Sequence, residues 1–296
     1  MDNRSEIREF LATRRARITP SQAGLTAYGS NRRVPGLRRE EVAMLAGVSV
    51  DYYVRLERGD LSGASDSVLD ALARALQLDE AETAHLYDLA HAANAGSRAR
   101  RRPAPHRVRP SVQRVLDAVT AAPAWVRNGR ADVLATNALG RALYSPVFDS
   151  PAQPPNTARF TFLDPGARDF YVDWERTASD MVAVLRAEAG RSPHDRGLTS
   201  LVGELSTRSG EFRTRWAAHD VLFHRTGTKK LRHPVVGRLD LTYEALELAT
   251  DPGLTLIVYT AELGTATADA LDALGVLASR VATQPHEPSR EPVEAG

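Results

Sequence analysis

The chain has 296 residues, no cysteine, 43% hydrophobic and 25% charged residues, and a net charge of +1. That length suits two domains of ordinary size, and the composition is that of a globular protein. Disulfides and thiolate metal sites are excluded, and no apolar run reaches the roughly 18 residues that a membrane-spanning helix needs.

The N-terminal MDNRSEIREF has no apolar signal core, so a cytoplasmic protein is expected. The small net charge hides a gradient. Arg exceeds acid over residues 1–60, and residues 98–109 hold six Arg and no acid. A polyanion would bind there. Lys229 and Lys230 are the only two lysines.

In chain order, residues 5–17 read as a helix with Ile7, Phe10 and Leu11 on one face. A loop rich in Gly, Ser, Pro and Arg covers 18–37. Residues 38–59, RREEVAMLAGVSVDYYVRLERG, then read as helix, sharp turn and helix. Ala43 falls where two helices cross closely. Gly47 falls where the turn wants a left-handed backbone, and Ser49 falls at an N-cap. Val48, Tyr53 and Leu56 point inward on the second helix. Ser49, Val50, Asp51, Tyr52, Arg55 and Arg58 point outward. That outward face can donate to guanine, touch a thymine methyl and reach phosphate, and such a second helix is the one placed in the major groove. An ordinary helical hairpin with a glycine turn is the bland alternative. Further helices are expected over 65–77 and 79–93, which gives an all-α bundle over residues 1–93.

Residues 94–110 read as an Arg- and Pro-rich linker. Beyond it, 124–128 and 132–136 carry hairpin signals, followed by a short helix over 137–144 and a Pro-rich loop over 151–157. Helices are expected over 170–190 and 195–218, strands over 221–226, 235–248 and 254–261, and a helix over 266–280. This order predicts an α+β domain over 111–282 with one mostly antiparallel sheet. Residues 283–296 read as a disordered tail.

No G-x-S-x-G, H-E-x-x-H or cysteine nucleophile is present. His85 and His91, and His219 and His224, lack the i, i+4 spacing of a helical metal pair. Gly227-Thr228-Lys229-Lys230 lacks the spacing of a phosphate loop and better fits a hairpin turn. No enzyme, metal or resident cofactor is expected. In the second domain a pocket is expected among Trp125, Phe148, Phe162, Phe170, Trp174, Trp216, Phe223 and Tyr259, with His219, His224, Arg186 and Arg215 as polar groups. For each aromatic, plain core packing competes with that role.

Long runs also carry a resemblance. VPGLRREEVAMLAGVSVDYYVRLERGD with VLDALARALQLDEAETAHLYDLA, and then FLDPGARDFYVDWERTASDMVAVLRAEAG, FRTRWAAHDV, LRHPVVGRLDLTYEALEL and LIVYTAELGT, resemble the MmyB-like branch of the xenobiotic-response-element helix-turn-helix regulators. The resemblance covers about residues 5–280. It implies a bacterial transcription regulator, expected to repress, that binds a double-stranded operator as a homodimer. Its PAS-like sensor domain would hold a small, largely apolar effector such as a fatty acid. Ser49, Val50, Asp51 and Arg55 fall at base-reading positions, and Arg38 and Arg39 where phosphate contacts are usual. Arg32 and Arg33 sit in the loop before them. Two roles stay open for Asp51, accepting from cytosine N4 or orienting Arg55. The rival for the second domain is a protein partner in place of a small molecule, as in an antitoxin or an anti-repressor target.

Overall fold

The computed structural model describes residues 2–25, 34–94, 107–151, 153–221 and 225–283. Arg32, Arg33, Phe223, His224, residues 95–106 of the expected linker and the tail from 284 onward lie outside the described residues.

Five helices open the chain: α1 (Asn3–Arg17), α2 (Arg39–Leu45), α3 (Val50–Glu57), α4 (Asp66–Ala75) and α5 (Glu80–Asn94). Local chemistry sets their starts. Asp2 accepts from the Arg4 amide at 3.2 Å, Glu41 from the Arg38 amide at 2.6 Å, and Ser49 Oγ from the Tyr52 amide at 3.1 Å. Gly47 turns the chain between α2 and α3 at φ +65°. Ile7, Phe10, Val42, Tyr53, Leu56, Leu72 and Leu86 close one apolar cluster. Because that cluster takes the apolar stripe of α3, the opposite flank of α3 is left to solvent.

The second part runs α6 (Pro110–Ala118), β1 (Ala124–Asn128), β2 (Val133–Thr136), α7 (Ala138–Leu143), α8 (Ser145–Asp149), α9 (Thr157–Leu163) and α10 (Ala167–Phe170). It continues with α11 (Trp174–Arg191), α12 (Arg196–Arg208), α13 (Gly210–Trp216), β3 (Thr226–His233), β4 (Gly237–Glu247), β5 (Leu254–Thr260) and α14 (Ala266–Thr283). The strands form one antiparallel sheet in the order β2-β1-β5-β4-β3. The expected two-part architecture, an all-α bundle and then an α+β domain, is therefore present.

Period-two alternation gives the sheet two chemistries. Ala124, Val126 and Leu254 pack with Leu116 of α6 on one face. Trp125, Leu239, Leu241, Tyr243, Ile257 and Tyr259 face the other way, toward α7, α9 and α11. Asn137 binds these layers together. It caps α7 through the Gly140 amide at 2.7 Å, accepts from the Ala124 amide at 3.0 Å, and donates to the carbonyls of Val119 and Ala122.

Several sequence expectations are corrected. Residues 195–218 are two helices, because Ser209 turns out of α12 and caps α13 at the Phe212 amide, 3.1 Å away. Helices α6, α8, α9 and α10 were not foreseen; each is short, and periodicity needs about three turns to speak. The strand expected over 221–226 starts only at Thr226 and runs to His233. Gly227-Thr228-Lys229-Lys230 is thus strand and not turn. Gly227 pairs with Tyr243, and a Cβ there would lie 3.0 Å from the Tyr243 hydroxyl, so the glycine serves a close approach. The turn itself falls at Pro234–Val236, overlapping the start of the strand expected from 235.

Candidate DNA-binding face and ligand cavity

On α3, Ser49, Val50, Asp51, Arg55 and Arg58 are exposed, as their spacing predicts. Tyr52 is only half-exposed: it packs against the helical core and carries the Arg55 guanidinium over its ring at 4.9 Å. Arg55 is further held by Asp60, at 3.7 Å, and by the Ser62 carbonyl, at 3.4 Å. Asp51, for which orienting Arg55 was one of two open roles, makes no hydrogen bond or ion pair among the described residues. Asp60 has that task. Arg4, on α1, joins Asp51, Arg55 and Arg58 around an open groove beside the helix, a neighbour that sequence reading missed.

Arg38 is exposed and lies 3.3 Å from Glu40. Arg39 has a partner of its own. It donates to Glu57, a carboxylate 2% exposed that also accepts from Arg15 at 2.6 Å. Glu57 thereby ties α1, α2 and α3 into one body, and the Arg39 charge is committed inward, although its side chain is 56% exposed. Glu57→Gln should destabilise the chain by about 2–3 kcal/mol, the low end for a broken buried ion pair because both arginines keep access to water. Urea unfolding of the full chain measures this.

In the second domain a cavity of about 40 Å³ lies between the inner face of the sheet and α11. Strand β1 supplies Trp125 and Arg127, two residues apart and so on one face. Strand β5 adds Ile257 and Tyr259, and β3 adds Lys229. Helix α11 turns Thr177, Asp180, Met181 and Val184 toward them, a stripe at i, i+3, i+4 and i+7. Tyr144 and Tyr171 complete the aromatic wall, and the Tyr144 and Tyr259 hydroxyls meet at 2.6 Å.

The charges in this cavity are unevenly matched. Lys229 donates to Thr177 Oγ1 at 3.1 Å, and burial lowers its pKa to about 8 against the opposing pull of Asp180. Burial also raises the Asp180 carboxyl above the usual range, with Lys229 resisting. Arg127 is 8% exposed and makes no side-chain hydrogen bond or ion pair among the described residues. Burial pulls its guanidinium pKa down, and the charge of Arg191 adds to that.

A family model described as the MmyB-like transcription regulator ligand binding domain matches residues 108–274. The chain belongs to the MmyB-like transcription regulators. A helix-turn-helix domain model matches residues 6–86, the segment that carries α3. No curated protein matches the chain. This MmyB-like chain is accordingly a DNA-binding transcription regulator with a ligand-binding domain. No helix among its described residues is long and apolar enough to cross a membrane.

Of the aromatics expected around a pocket, Trp125 and Tyr259 line the cavity. The other described ones do structural work. Phe162 sits edge-on between Phe212 and Trp174, at 5.0 and 6.1 Å. Phe170 packs on Tyr144 and Phe160, each at 5.7 Å. Phe148 lies under Arg141 at 4.8 Å. Trp174 donates its indole N–H to the Thr161 carbonyl at 2.9 Å, and Trp216 stacks on Phe212 at 5.4 Å. Arg215 pairs with Glu175 and Glu211. His219 and Arg186 lie against the helical domain, facing Glu6. Aromatic residue type signals burial, and most aromatics here are spent on the core. The missed signal was Arg127, a charged residue two places after Trp125 in a strand buried along its whole length, AWVRN.

Proposed function

We propose that this regulator reads an operator with Ser49, Val50, Asp51 and Arg55, and that its C-terminal domain binds a small organic acid. The acid head meets Arg127, with Lys229 beside it, and the apolar body lies along Trp125, Tyr144, Ile257 and Val184. Arg127 carries the reading. A desolvated guanidinium without a protein partner is costly, and an anion is the partner that offsets that cost. The inward-facing cavity favours a small molecule over a protein partner. In this reading the chain is a non-enzymatic bacterial repressor acting in the cytoplasm. It divides into a DNA-binding part over 1–93, a joining segment over 94–110 and a sensor over 111–282. It works as a homodimer whose two α3 helices enter the major groove about 34 Å apart. Arg38 and Arg58 add phosphate contacts.

The test has two arms. The purified chain is used to select duplexes from a random pool, and octanoate is titrated by calorimetry. Selection of no sequence would overturn the operator reading. Octanoate binding that is unchanged by loss of Arg127 would overturn the acid reading.

Lys229 gives that binding a pH dependence. Its cationic form, which favours an anion, is present below about pH 8 and is lost as pH rises through that value. Asp180, Asp173, Arg176 and Arg127 act on it, while burial holds Tyr171 and Tyr259 protonated well above this window. Octanoate affinity should fall about fivefold, or ~1 kcal/mol, from pH 7 to pH 9.5. Lys229→Met should flatten the profile.

A further inference from the structure

Helix α11 borders the cavity and also forms the contact with the DNA-binding domain. Thr177, Asp180, Met181 and Val184 face the sheet, whereas Arg186 and Gly190 leave that stripe and meet α1 and α5. Arg186 is fully buried. It donates to Glu6 on α1, to the Trp216 carbonyl, and to His219 Nδ1 at 2.8 Å. With Nδ1 accepting, His219 holds its proton on Nε2, which lies 2.9 Å from Glu9 of α1. Arg14 of α1 donates back to the carbonyl of His219, a residue held at φ +56°. Gly190 lets α5 close in, since a Cβ there would stand 2.5 Å from the His85 ring.

Burial by itself would raise the Glu6 carboxyl pKa. Contacts with the His219 and His85 rings, 3.5 and 3.8 Å away, and the charge of Arg186 outweigh it and hold Glu6 well below the carboxylate range. Such a cluster resists being pulled apart, because each departing partner leaves a desolvated charge behind. Helix α1 in turn bears on α3. Arg15 grips Glu57, and Gly59, just past α3, has no room for a Cβ, which would lie 2.3 Å from the Arg4 carbonyl.

The cavity of about 40 Å³ is near the ~30 Å³ share of one water, whereas small-molecule sites span about 300–1,000 Å³. An organic acid therefore enters only if a wall retreats. β1 is hydrogen-bonded to a strand on each side, while α11 is held by side chains. From this we infer that the Arg186–Glu6–His219 cluster is a relay: a ligand displaces α11, and the cluster carries that displacement to α1 and so to the reading helix. Arg186 and Glu6 couple the two domains and take no part in reading DNA. The inference rests on the ligand cavity proposed above and names how it is coupled.

Val184→Phe in the full chain pushes on α11 without any ligand. It should change operator affinity by about fivefold or more and raise hydrogen exchange in the α1 amides. In a Glu6→Gln background the same change should shrink below about twofold, while Glu6→Gln alone keeps sequence-specific binding. Met181→Phe, a milder change at the same wall, guards against misfolding. The relay is overturned if the folded Phe variants leave α1 exchange and operator affinity unchanged, or alter them equally with and without Glu6→Gln. Octanoate titration of the unaltered chain separates the two ideas. No binding with a coupled cycle removes the acid reading and keeps the relay; binding with an uncoupled cycle does the reverse.

Discussion

Arg127→Leu should make the chain more stable and deaf to an organic acid. The two effects have opposite signs because one group causes both. A guanidinium 8% exposed with no hydrogen-bonding partner among the described residues is a standing cost to the fold. Replacing buried charge with an apolar side chain of similar reach is often stabilising by about 1–4 kcal/mol. At roughly 2–4 °C per kcal/mol for domains of 150–250 residues, a rise in melting temperature of several degrees is expected. In the bound state the same group would form a desolvated ion pair, and truncating one partner of such a pair costs about 2–5 kcal/mol, or at least ~30-fold in affinity. Differential scanning calorimetry with and without octanoate reads both quantities on one sample. A stabilised variant that still binds octanoate as tightly would mean that Arg127 meets no anion.

Arg55→Ala should collapse operator choice while sparing general affinity for DNA. Arg55 is preset by Asp60, Ser62 and the Tyr52 ring on an exposed flank of α3, so little ordering is lost when it meets a guanine edge. Its loss should lower the preference for the operator over a base-substituted duplex by about 1–3 kcal/mol. Arg38→Ala is the contrasting control. A phosphate contact should weaken all duplexes alike and flatten the salt dependence by about one unit. Gel shifts on matched and mismatched duplexes at two salt concentrations distinguish the pair. A uniform loss with Arg55→Ala would reassign Arg55 to the backbone.

The reading helix was legible because its determinants are local. Ser49 caps within three residues, Gly47 bends within one, and the Tyr53–Leu56 stripe repeats within a turn. The pairing of Arg39 was hidden for the opposite reason. Its partner, Glu57, is eighteen residues away, and nothing near Arg39 in the chain shows that its charge is taken. The cavity's place was hidden in the same way. Aromatic side chains were counted, but Phe162 and Trp216 pack on Phe212, Phe170 packs on Phe160, and the charged groups lining the cavity are Arg127, Lys229 and Asp180. Arg186 and His219, expected to serve ligand, face Glu6 of α1.

The order of residues alone determined the helix–turn–helix, the all-α then α+β sequence of elements and the exposed flank of α3, because caps, turns and periodicity act over a few residues. Tertiary structure decided where the cavity lies, since it takes Trp125 beside Ile257 across a strand pair, Lys229 from an outer strand and Val184 from a helix between them in sequence. It also decided that α11 serves two contacts at once. Side chains on different flanks of one helix meet the sheet and α1 only after chain segments some 180 residues apart have packed together.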